Sequence, residues 1–170
     1  MNPFAVLGIP ARFDVDLASV EKQHRELSRA LHPDRFAAAT PSERQAALGK
    51  AVEVNEAWRI VRDTIRRAEA LLVLNGVDVT EEGSPTADLE FLNEMLEQRE
   101  ALDDAKRAKD LEAVLKLGRA IEAKSKAVEA VLTEGFARED YASLARKVGE
   151  LRFFRRFLDE VSAIEDELAA

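Results

Sequence analysis

The sequence predicts an all-α protein built from two helical modules. Glycine and proline are scarce, at 7 and 5 of 170 residues, while Ala, Leu, Glu and Arg abound, and these lose little side-chain freedom in a helix. Apolar residues recur at steps of three and four, the period of a helix with one buried face. A single stretch, NGVDVTEEGSPTAD from Asn75 to Asp88, replaces that pattern with glycine, proline, β-branched residues and acids, and so reads as a linker. The expected division is therefore a first module over 1–76, a linker over 77–87 and a three-helix bundle over 88–170.

The first module opens with a short helical segment, Pro3 to Leu7, stopped by Gly8 and Pro10. A second helix starts after Asp16, a good N-cap, and runs through LASVEKQHRELSRALH with Leu17, Val20, Leu27 and Leu31 as its apolar stripe. Pro33 ends it, because the residue before a proline is pushed out of helical angles. The next start is Thr40-Pro41-Ser42-Glu43, in which Thr caps, Pro takes the first helical position and Glu completes a capping box. That helix continues through Leu48, Val52, Asn55 and Trp58. A further stretch, TIRRAEALLVLNG, closes at Gly76.

Beyond the linker, three long segments have helical periodicity: DLEFLNEMLEQREALDDAKRA, LEAVLKLGRAIEAKSKAVEAVL and YASLARKVGELRFFRRFLDEVSAIEDELA. In the last, Tyr141, Leu144, Val148, Leu151, Phe154, Leu158, Val161, Ile164 and Leu168 form the stripe of a bundle helix. The first carries two apolar sets. Phe91, Met95, Leu102 and Ala105 cluster within about 40° of one another's common face, whereas Leu89, Leu92 and Leu96 lie roughly 100° to 160° away, beside Glu100 and Asp103. Phe153 and Phe157 similarly stand off the long stripe of the closing helix. Two helices with surplus apolar faces suggest a composite partner patch with a charged rim.

Several function classes are disfavoured. Without cysteine there is no disulfide, thiol nucleophile or thiolate-held zinc or cluster. The two histidines, His24 and His32, are eight residues apart and diverge by roughly 80° on a helix, so they do not form a ligand pair. No glycine-rich phosphate loop or nucleophile elbow is present, and no catalytic residue, metal or cofactor is expected. Met1 to Gly76 carries 11 basic and 10 acidic residues, whereas Val77 to Ala170 carries 14 and 23. This balance argues for two modules with different partners and against nucleic-acid binding. No apolar run reaches the ~18 residues of a membrane span and the N-terminus lacks a signal-peptide pattern, which makes a cytoplasmic location the default.

The segment ALHPDRF, Ala30 to Phe36, places His32, Pro33 and Asp34 between two helices. Alone, it is explained by a turn in which Asp34 bonds free amides. Lys22, Arg25 and Arg29, with Arg35 beyond the turn, form either a solvated face of weak ion pairs or a docking stripe for an acidic protein surface. A short helix, a basic helix leading into His-Pro-Asp and a return helix resemble the J-domain, through which DnaJ-type co-chaperones engage an Hsp70. NPFAVLGIPARFDVD, LHPDRF, VNEAWRIVRD, RRAEALLVLNG, FLNEMLEQREALDD and LRF together resemble the HscB family of iron–sulfur cluster assembly, from Phe4 to about Phe157.

That resemblance implies a non-enzymatic adaptor. Its J-domain would contact a specialised Hsp70 of the HscA type through His32, Pro33, Asp34 and the basic residues Lys22, Arg25, Arg29 and Arg35, and accelerate the chaperone's ATP hydrolysis. Its C-terminal bundle would bind the iron–sulfur scaffold of the IscU type through Leu92, Leu96 and Phe153, with Glu97 and Glu100 at the rim. Leu31 replaces the tyrosine usual in J-domains, Glu26 interrupts the basic run and Asn93 replaces a larger apolar residue. The cysteine-containing extension of eukaryotic relatives is missing, so a bacterial protein is expected. A general J-domain adaptor with another client would keep the His-Pro-Asp turn without needing the second patch, and a small helical hydrolase would use His32 and Asp34 as its catalytic pair.

Overall fold

The computed structural model describes residues 1–79 and 88–169, apart from the side chain of Ala142. Of the expected linker, only Val77, Asp78 and Val79 fall among them. Seven α-helices are present among the described residues: α1 (Pro3–Leu7), α2 (Leu17–Ala30), α3 (Pro41–Arg62), α4 (Thr64–Leu74), α5 (Leu89–Ala108), α6 (Leu111–Ala137) and α7 (Tyr141–Ala169). A 3₁₀ turn, Pro33–Phe36, joins α2 to α3. The chain separates into two compact units, Met1–Val77 and Asp78–Ala170.

In the first unit, local chemistry sets nearly every helix end. Asn2 accepts from the amides of Phe4 and Ala5 to start α1, and Gly8 ends it at a φ of 68° that costs glycine little. The expected capping box is formed: the Glu43 amide donates to Thr40 Oγ1 at 3.3 Å, while Glu43 Oε2 accepts from the Thr40 amide at 2.8 Å. The Thr40 amide and the Thr40 hydroxyl, which also donates to Glu43 Oε2 at 2.8 Å, hold the Glu43 carboxyl below its ordinary pKa, since they favour the charged form. Between α3 and α4, Asp63 leaves helical angles and accepts from the Arg66 amide at 3.0 Å, so one residue ends one helix and caps the next.

The hairpin of α2 and α3 closes over α1, whose Phe4 and Leu7 are fully buried. His24 joins the two long helices: Nε2 lies 3.0 Å from Asn55 Oδ1, and its ring stacks on Trp58 with centroids 5.4 Å apart. Arg67 is buried, donates through Nη1 to the Val61 carbonyl at 2.7 Å and places its guanidinium 5.0 Å from the centre of the Phe13 ring. In α3 the buried residues are Ala47, Val54, Ala57 and Val61; Leu48 and Val52 are both 61% exposed. Of the stripe expected on α2, Val20 is buried, Leu27 and Leu31 are half-buried and Leu17 is exposed.

The second unit is the predicted bundle, with Leu102, Val114, Ile121, Leu132, Leu144 and Val148 at its centre. Arg99 pairs with Glu160 at 3.0 Å and Lys106 with Glu167 at 2.9 Å. Both pairs span the same sequence separation, so α5 and α7 run parallel in one register. Being largely exposed, such pairs are screened by solvent and add little to stability. Two glycines let α6 approach α7: a Cβ at Gly118 would lie 3.0 Å from Val161 Cγ1, and one at Gly135 would lie inside the contact distance of Leu144, 2.3 Å from Cδ2. Helix α6 continues five residues beyond the expected Leu132, carrying Gly135 into that contact. Phe157 is 7% exposed and belongs to the core, not to the surplus apolar face expected for it, whereas Leu158 is only half-buried.

Candidate functional site

Two surfaces hold the residues singled out from the sequence, one in each unit. In the first, α2 ends at Ala30 with Leu31 as its cap, and His32 adopts extended angles of φ −63° and ψ 136°, as the following proline demands. Pro33 then takes the first position of the 3₁₀ turn, where its missing N–H is no loss. The turn is capped by the His32 ring: Nδ1 accepts from the Asp34 amide at 3.3 Å and lies 3.5 Å from Asp34 Oδ2. A plain turn would have the Asp34 side chain bond free amides, but here it is the amide of Asp34 that is bound, by the His32 ring. Its carboxylate is left 90% exposed, and the His32 side chain is 60% exposed. Both contacts of His32 use Nδ1, which leaves Nε2 outside this local bonding.

The basic residues share the face of α2 that is turned from the core. At ~100° per residue, Lys22, Arg25 and Arg29 fall within about 60°, roughly opposite the arc holding Val20, Leu27 and Leu31. All three are exposed, as is Arg35 in the 3₁₀ turn. Arg25 is partly neutralised by Glu21 at 3.3 Å. Arg29 stands in the last turn of α2, where the helix dipole favours a cation.

In the second unit Leu92 and Leu96 are exposed on α5, at 36% and 58%, with Leu89 beside them at 73%. Phe153, half-buried on α7, meets the edge of Phe91 at 5.7 Å between centroids, and the Arg156 guanidinium lies 4.7 Å over its ring. An open groove of about 450 Å³ runs between the two helices, lined by Met95, Arg99, Phe153, Arg156, Phe157 and Glu160. Leu92 and Leu96 occupy the arc of α5 next to this groove. Glu100 continues their line, whereas Glu97 is turned about 140° from Leu92, away from the groove. Arg99 and Arg156 were not among the residues anticipated from the sequence. The LRFFRRF run offered a signal, but periodicity does not tell which arginine stacks on which ring. Among the described residues no three His, Asp or Glu side chains gather to hold a metal ion, and no helix is long and apolar enough to cross a membrane.

Comparison with known proteins agrees with this two-part architecture. Residues 87–162 match the family model described as the HSCB C-terminal oligomerisation domain. The chain is 36% identical to the co-chaperone protein HscB homolog of Shewanella oneidensis, over 99% of both chains. It is 35% identical to that of Bordetella avium, over 95% of this chain and 96% of the other. Among solved structures, chaperone HscB from Vibrio cholerae superposes with a TM-score of 0.87 at 31% identity, covering 99% of each chain. Human co-chaperone HscB shares the fold, with a TM-score of 0.88 at 23% identity over 96% of this chain and 81% of that one. A J-domain followed by a helical C-terminal domain defines the class as a co-chaperone. The chain belongs to the HscB co-chaperone family.

Proposed function

We propose that this protein stimulates ATP hydrolysis by a specialised Hsp70 of the HscA type and delivers to it an iron–sulfur scaffold of the IscU type, acting itself as an adaptor and not as an enzyme. The observation that carries the first half is the exposed His32-Pro33-Asp34 turn at the end of a helix whose outward face is basic. A proline-initiated turn capped by its own histidine is a small, preformed shape, so little ordering entropy is lost when a partner docks on it. Lys22, Arg25, Arg29 and Arg35 then supply an attraction to an acidic surface that speeds encounter and orients it. Delivery of the scaffold is assigned to the second unit, where exposed Leu92 and Leu96 and half-buried Phe153 provide apolar area, Glu100 continues their line as a rim charge and Glu97 stands on the far side of the leucines. The setting is the bacterial cytoplasm.

The test is a steady-state ATPase assay of the HscA-type chaperone with this protein and the scaffold added separately and together. Each should stimulate, and both together should exceed the sum. His32→Gln should leave the helical circular-dichroism spectrum intact and abolish the stimulation. Full stimulation by that variant would overturn the assignment.

A further inference from the structure

From Val77 onward the chain carries 23 acidic and 14 basic residues, yet two guanidinium groups line the groove between α5 and α7. Arg99 is already matched by Glu160 at 3.0 Å. Arg156 is exposed and has no ion-pair partner among the described residues; its contact is the Phe153 ring 4.7 Å away. A ring takes up none of the N–H donors that a guanidinium presents in its planar fork, and that fork can grip a carboxylate through two parallel hydrogen bonds. Beside the guanidinium lies an apolar hollow formed by Met95, Phe153 and Phe157. The Phe153 ring is held from a second side by Phe91 at 5.7 Å and 73° between planes, so it forms a fixed wall. A cation with no ion-pair partner among the described residues, next to an apolar hollow, is complementary to a polypeptide segment that presents an apolar side chain with a carboxylate beside it.

We propose that this groove receives an apolar side chain of the scaffold protein and that Arg156 binds the carboxylate next to it, fixing which segment of the scaffold docks. The assignment rests on the reading that the α5 and α7 surface binds the scaffold, and it adds a residue and a partner chemistry to that reading. Arg156 acts in two ways, as the counter-charge and as the lid that orients Phe153. Lysine can replace only the first.

Titration calorimetry with the IscU-type scaffold at low and high salt tests this, using the full chain and its variants Arg156→Gln, Arg156→Lys and Leu92→Ala/Leu96→Ala. Arg119→Gln, at an exposed position on α6, removes the same charge elsewhere. Arg156→Gln should weaken binding at least about thirtyfold, the threshold of an interface hot spot, and flatten the salt dependence of Kd. Arg156→Lys should recover the salt dependence but only part of the affinity, and Arg119→Gln should bind as the parent does. Unchanged affinity in Arg156→Gln, with binding lost in the double leucine variant, overturns the role of Arg156 and leaves the scaffold-binding reading standing. No binding by the parent chain, or full binding by the double leucine variant, overturns both. Sedimentation of the chain alone provides the last check: a dimer dissociated by Arg156→Gln, with scaffold binding unchanged, would assign the groove to a second copy and refute the proposal.

Discussion

Gly135→Ala and Gly149→Ala are the same substitution inside helices of the same unit, and the structure predicts opposite signs for them. Replacing a helical glycine by alanine in open space stabilises by about 1 kcal/mol, because the glycine backbone loses more freedom on folding. At Gly149 a new Cβ meets nothing within 4 Å, so the full gain applies. In a unit of this size it should raise Tm by about 4–8 °C. At Gly135 the Cβ would fall 2.3 Å from Leu144 Cδ2 and 3.2 Å from Cδ1 and Cγ. Leu144 is 1% exposed and has little room to turn aside. Overpacking of this kind costs about 1–3 kcal/mol, which outweighs the backbone gain and leaves a net loss of about 1 kcal/mol. Scanning calorimetry of the two variants and the parent is the assay. If both variants melt higher by the same amount, Leu144 absorbs the methyl group and the close approach of α6 to α7 is not why residue 135 is glycine.

Three other outcomes are expected. Replacing Leu92, Leu96 and Phe153 together by alanine should weaken scaffold binding by at least ~2 kcal/mol with the fold retained, as titration calorimetry would show. Leu102→Ala, at a fully buried position, should cost about 2–5 kcal/mol in chemical unfolding, since the bundle relaxes only partly around the cavity. For Glu43, the folded pKa lies below the unfolded one, so its contribution is present above the unfolded pKa and is lost as pH falls through the folded pKa. Melting temperatures of the parent and Glu43→Gln should therefore differ near neutrality and converge in acid; a constant difference would show that the carboxylate charge has no part in the cap.

Much of the candidate chaperone-binding surface was legible in the sequence, because its determinants are local. Proline cannot be preceded comfortably by a helical residue, so His32 had to leave α2. The 3.6-residue period then put Lys22, Arg25 and Arg29 on one face whatever packed on the other. The second surface was legible only by halves. Leu89, Leu92 and Leu96 could be seen as surplus to the core on α5, but Phe153 and Phe157 looked equivalent on α7.

The sequence by itself determined the all-α class, the helix starts at Asp16 and Thr40, the stop before Pro33 and the presence of two modules, since caps, proline geometry and amphipathic period act within a few residues. Only the tertiary structure decided which apolar residues those helices bury. Of the two phenylalanines that line the groove, Phe157 was buried and Phe153 left half-buried, Leu48 and Val52 were left outside while Ala47 and Val54 were buried, and Arg67 was drawn in over Phe13. Burial depends on what a neighbouring helix places opposite each side chain, and that neighbour is distant in sequence. Arg156 is the clearest instance: the chain shows an arginine three residues beyond a phenylalanine, and the folded helix puts its guanidinium over that ring.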